Sequence, residues 1–146
     1  MPISYHCDPT TRVTVSLWSD VTMADVTRYL DLLASDPNYA SSRLLLSDLR
    51  SIARDGRPTR DQVDTLANAF LQRFGETMTT VKWAIVARHA FSDASIFDER
   101  VRDSIPRVLV FNDLGTACVW LGADVEQIEK TLDELRERSV SAPAQP

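Results

Sequence analysis

Glycine is scarce in this chain: four among 146 residues, at 56, 75, 115 and 122, none beside another. That scatter excludes a glycine-rich phosphate loop, whose close backbone approach to phosphate oxygens needs clustered glycines. Cysteine is equally sparse. Cys7 and Cys118 lie far apart in apolar segments with no Cys-x-x-Cys, and read as reduced core thiols rather than a disulfide pair. The two histidines, His6 and His89, have no metal-ligand spacing, and His6 and Cys7, adjacent on an expected strand, point to opposite faces and cannot chelate as a pair. No apolar run reaches the roughly 20 residues of a membrane span, and MPISYHCDPTTRV lacks the basic start and apolar stretch of a secretory signal. Basic charge is in deficit too: 16 Lys and Arg against 21 Asp and Glu leave a net charge of −5. A general nucleic-acid binder needs the opposite balance. No serine sits in a Gly-x-Ser-x-Gly elbow. These absences lead to the expectation of a cytoplasmic protein with no enzymatic activity, no metal, no cofactor, no nucleic-acid partner and no membrane span.

What is present suits one folded α/β domain over 1–138, followed by a disordered tail, 139–146. Ile3 to Trp18 alternates, with Ile3, Tyr5 and Cys7 on one face, then Val13, Val15 and Leu17 after the Asp8-Pro9-Thr10-Thr11 turn. This predicts a β-hairpin covered on one side, with Trp18 on the outer face, open to a partner or covered by a helix. Val26, Tyr29, Leu30 and Leu33 follow at helical spacing with Thr22 as cap. The leucine-rich run 43–50 reads as a buried strand. Thr59-x-x-Gln62 forms a capping box ahead of the apolar stripe Val63, Leu66, Ala67, Phe70, Leu71 and Phe74, which stops at Gly75. The segment 80–88 predicts a central strand, about 92–104 a helix ending before Pro106, and 107–111 another buried strand. Asp113 caps a short helix ended by Gly122, and Asp124-x-x-Gln127 opens a charged helix to about 138 whose apolar stripe packs on its own sheet or mates with a second copy in a homodimer. The order β-β-α-β-α-β-α-β-α-α predicts a mixed, mostly parallel sheet with an antiparallel N-terminal hairpin and helices packed on it.

The early Ile3-Ser4-Tyr5 hairpin start, the strand ending in Asp48-Leu49-Arg50, the run Trp83-Ala84-Ile85-Val86-Ala87 and the closing Phe111-Asn112-Asp113, with Ala117 and Trp120-Leu121-Gly122 after it, resemble the SpoIIAA-like branch of the STAS family (sulphate transporter and anti-sigma-factor antagonist) over about 3–122. The resemblance implies a regulatory or protein-interaction module that binds a protein partner through the loop and helix after the third strand. The related Sec14-like fold shares this order of elements and implies the alternative, a carrier of a small molecule or lipid in an apolar pocket. In the antagonists a phosphorylatable serine lies in an Asp-Ser-Ser-Gly-like turn after the third strand. Here that turn is replaced by the longer, arginine-rich 49–59, where Ser51 and Thr59 are the nearest positional counterparts and Thr59 also reads as a helix cap.

Arg50, Arg54, Arg57 and Arg60 fall within eleven residues just before a helix N-terminus, where free N–H groups and the dipole favour anions. They suit a phosphate or carboxylate, or else pair with Asp48, Asp55, Asp61 and Asp64 on a solvated loop. His89 and Asn112 join them as candidates, because the loops after the third, fourth and fifth strands open at the carboxyl edge of a parallel sheet, where ligands gather. Asp93, Asp98 and Glu99 read as a charged, exposed helix face.

Overall fold

The computed structural model describes residues 3–75 and 79–141. Alternation in the first segment builds an antiparallel hairpin from β1 (Ile3–Asp8) and β2 (Val13–Trp18), with Ile3 opposite Trp18 and Asp8 opposite Val13. Asp8 closes the turn twice: its Oδ1 accepts the Thr10 N–H at 2.9 Å and its carbonyl accepts the Arg12 N–H at 2.9 Å. Helix α1 (Met23–Ala34) starts at Thr22, whose Oγ1 accepts the Asp25 N–H at 3.2 Å while Asp25 accepts the Thr22 N–H at 2.9 Å. A one-turn α2 (Pro37–Ala40), which periodicity does not reveal, leads into β3 (Leu44–Asp48). The Thr59–Gln62 box starts α3 (Arg60–Phe74), and β4 (Lys82–Val86), α4 (Phe91–Val101) and β5 (Val108–Phe111) follow. Helix α5 (Leu114–Leu121) ends where Gly122 takes φ 78°, a left-handed turn that glycine adopts without a Cβ clash. Helix α6 (Val125–Ser141) runs three residues into the segment expected as tail; 142–146 lie outside the described residues.

The five strands lie in the order β1-β2-β3-β4-β5, the first pair antiparallel and the rest parallel. Because the order advances without reversing, right-handed crossovers place α1, α3 and α4 on one face. Helices α5 and α6 cover the other, so the sheet divides two cores. Trp18, Tyr29, Leu45, Phe70, Trp83 and Phe97 belong to the first; Val15, Leu46, Val86, Cys118, Leu132 and Leu135 belong to the second. Each such buried side chain contributes about 1.5–3 kcal/mol relative to exposure.

Double cover and strand order correct two expectations, the hairpin covered on one side and the buried strand 107–111. All six residues of β2 are buried, since β1 and β3 flank it and helices cover both faces. Its alternation separates two cores rather than core from water. Trp18 therefore lies under α1, edge-on to Tyr29 with ring centroids 5.3 Å apart, and offers no outer surface. The strand expected as buried at 107–111 is instead the sheet edge, with Val108 buried but Leu109 42% exposed. The stripe of α6, Ile128, Leu132 and Leu135, is buried against its own sheet and α5. Among the described residues no helix is long and apolar enough to cross a membrane.

Both cysteines are free and buried, and burial pushes each thiol up from 9.0 to about 11. Unfolding returns them to ordinary values, so between those two values the unfolded chain holds fewer protons than the folded one. Burial raises Tyr29 and Tyr39 in the same direction. Stability is accordingly complete below the unfolded thiol value and falls as pH rises through the folded one. Urea midpoints at pH 8 and pH 10.5 check this: the midpoint drops at the higher pH, and an unchanged midpoint contradicts the account.

Candidate functional site

Strand alternation sends Ser47, Trp83 and Ile85 to the face that carries α3 and α4. There Trp83 stacks on Phe70 at 4.8 Å between centroids and meets Phe97 edge-on at 5.4 Å. Helix α4 sends Phe97 onto Trp83, but beside that contact it presents only the small side chain of Ala94, with Ala90 at its N-cap, so a gap remains next to the aromatic wall. The result is a cavity of about 210 Å³ between sheet, α3 and α4, entered beneath the loop that follows β3. Its lining is mostly apolar, with Trp18, Leu49, Ile52 and Leu66 completing the walls.

Beneath the aromatic wall runs a line of hydrogen bonds. The register sets Ser16 beside Ser47. Trp18 Nε1–H donates to Ser16 Oγ at 3.0 Å, Ser16 Oγ–H donates to Ser47 Oγ at 2.9 Å, and Trp83 Nε1–H donates to the same Ser47 oxygen at 3.0 Å. Both indoles are thereby fixed against the sheet, and buried polar groups that would each cost about 1–3 kcal/mol unpaired are satisfied.

The loop above the cavity is pinned along its length. Leu49 N–H donates to the Val86 carbonyl at 2.7 Å, Ala53 N–H donates to Asp20 Oδ1 at 2.9 Å, and Arg57 Nε–H donates to Asp93 Oδ2 at 2.8 Å. Asp93 lies in the first turn of α4, where the dipole favours a carboxylate, and its bond to Arg57 raises the guanidinium pKa. Gly56 permits the Asp20 contact, because a Cβ there would overlap the Asp20 carboxylate.

Among the candidates expected from sequence, Arg57 lines the cavity mouth. Arg50 turns to the opposite face, where its Nε and Nη2 each donate to the buried Asp48 carboxylate at 2.9 Å and so raise its own pKa. It borders a separate polar groove with Asp113, Glu129, Asp133 and Arg136. Ser51, Arg54, Thr59, Arg60, His89 and Asn112 are exposed and line neither space. Thr59 Oγ1 is engaged as the cap, accepting the Gln62 N–H at 3.2 Å. The expected Arg50–Asp48 pair forms, whereas Asp64 pairs with Arg100 at 2.7 Å, and Arg54 and Arg60 form no ion pair among the described residues. Asp93 and Asp98, expected on a solvated face, are 8% and 5% exposed, because the inner stripe of α4 includes them and arginines (Arg57 and Arg102) meet them there. His89 and Asn112 do lie past the carboxyl ends of β4 and β5. The strand order has no reversal there to open a crevice. Ser16, Ser47, Trp83 and Ala94 go unnoticed from sequence, although one signal was present: a serine inside the leucine-rich buried strand 44–48.

No family model, no curated protein and no solved structure matches the chain.

Substituting Gly56→Ala displaces the Asp20 carboxylate and removes the Ala53 hydrogen bond, a loss of about 0.5–1.5 kcal/mol concentrated in the loop. Tryptic cleavage after Arg54 should speed up several-fold in the variant under native conditions. Equal cleavage rates contradict the assigned role of the Asp20 contact.

Proposed function

We propose that this chain is a non-enzymatic, STAS-like domain that binds a small, predominantly apolar molecule in the cavity between the sheet, α3 and α4, with the loop 49–59 as its cover. The observation that carries this reading is the cavity itself: about 210 Å³, walled by four aromatic side chains and lined mostly by apolar atoms. Ligand sites are typically concave and apolar, with a few polar groups that orient the occupant. An engineered apolar cavity of about 150 Å³ takes one benzene. The present one therefore suits one ring or a fused pair, and is too small for a lipid with two acyl chains. Of the two functions implied by the family resemblance, carriage of a small apolar cargo has the firmer support.

Partner recognition through the same loop has one observation in its favour. Arg54 and Arg60 stand exposed, with no ion pair among the described residues, in a chain of net charge −5. Since their segment covers the cavity, a protein partner that reads these arginines also touches the cover.

Titration calorimetry with indole tests the main reading. Wild-type protein should bind indole saturably at one site, and Ala94→Phe, which fills the cavity from α4, should weaken binding at least about tenfold. Filling should also hold or raise the melting temperature. Absence of saturable binding, or equal binding by a folded Ala94→Phe, overturns the proposal.

A further inference from the structure

The hydrogen-bond line beneath the aromatic wall leaves one valence open. A serine hydroxyl has two acceptor lone pairs and one proton. At Ser47 both lone pairs are taken, one by the Ser16 hydroxyl and one by the Trp83 indole. No acceptor among the described residues meets the Ser47 proton. Ser47 is 5% exposed and borders both this cavity and a void of about 10 Å³ beside Tyr29 and Tyr39, and only the larger space has room for an occupant that could accept its proton. The bond between the two serines runs from Ser16 Oγ–H to Ser47 Oγ, and Ser16 Oγ also meets the Trp18 indole N–H and the Tyr29 hydroxyl.

Charge at the mouth narrows the class of occupant. Arg57 is the cationic side chain among the cavity-lining residues, and it is engaged by Asp93 at 2.8 Å, with Asp55 also on the lining. A carboxylate or phosphate entering the apolar interior would find no free counter-charge, and burying it unpaired costs far more than burying a neutral carbonyl. The walls are flat aromatic surfaces, Phe70 and Trp83 stacked with Phe97 edge-on, which favour a planar ring by offset or edge contacts.

Resting on the reading of the cavity as a ligand site, we infer that its occupant is a neutral aromatic molecule bearing a carbonyl-type acceptor, with the ring against Trp83 and Phe70 and the acceptor oxygen receiving the Ser47 proton. Specificity then comes from the asymmetry of Ser47. The residue offers a donor and no free lone pair, so an occupant without an acceptor leaves a buried donor unpaired, and one whose only polar group is a donor gains nothing there.

Acetophenone and ethylbenzene, nearly equal in shape and differing in the carbonyl oxygen, are the probes. In calorimetric titrations, Ser47→Ala loosens Trp83 for both probes alike, so the test is the ratio: the preference for acetophenone over ethylbenzene should fall roughly five- to tenfold, the worth of one neutral hydrogen bond. A second readout needs no variant: the carbonyl stretch of acetophenone bound to wild-type protein should shift to lower frequency than in an alkane solvent. Binding of neither probe removes the proposed function itself. Binding of both, with equal losses in Ser47→Ala or with an unshifted carbonyl stretch, leaves the cavity as a ligand site and overturns the role of Ser47.

Discussion

The line of hydrogen bonds from Trp18 through Ser16 and Ser47 to Trp83 is the constraint on which the rest of the cavity face depends. It ties together β2, β3 and β4, three neighbouring parallel strands, through side chains rather than backbone. Two indoles that would otherwise rotate to fill space are held by their N–H groups, because a buried indole N–H without a partner is costly. With Trp83 fixed, Phe70 and Phe97 pack on it, and the position of both helices follows. Ala90 and Ala94 cannot bridge the gap that remains. The gap leaves its lining without packing partners on one side, a cost to stability. An occupant that restores the missing contacts recovers part of that cost, and this links ligand binding to stability.

The two faces of the sheet have different work. On one, α5 and α6 close over aliphatic residues and Cys118, and the buried Asp48 carboxylate is satisfied by Arg50, with Arg136 at 3.7 Å. That face is built to stay shut. On the other, aromatics surround an opening whose cover is held by discrete polar contacts, Asp20 to Ala53 and Arg57 to Asp93, each of which can break without unfolding a helix. The arginine-rich loop is thus defined by where its members point: Arg57 inward to a carboxylate, Arg50 to the opposite face, Arg54 and Arg60 to solvent.

Local chemistry made most of the fold legible in the sequence. Capping boxes at Thr22 and Thr59, the Asp113 cap and the left-handed Gly122 are decided within four residues of themselves, and helical or strand periods within a dozen. Trp18 shows where such reasoning stops. Alternation placed it opposite Val13, Val15 and Leu17 correctly, yet whether that opposite face meets water depends on α1, which is remote from the hairpin's own pattern. Asp93 and Asp98 follow the same rule, since a buried carboxylate is recognisable only once its arginine is placed beside it. A cavity is less legible still. It arises where β2, β3, β4, α3 and α4 fail to fill the space between them, and no single segment encodes a gap. Ser47 was the available hint: a hydroxyl within a run destined for burial on both faces needs partners, and those partners border the site.

The most direct measurement is a crystal of the protein pressurised with xenon, which enters apolar cavities. The account predicts xenon density among Trp18, Phe70, Trp83 and Phe97, on the α3 and α4 side of the sheet. Helices packed onto Trp83 with no xenon between them would contradict it.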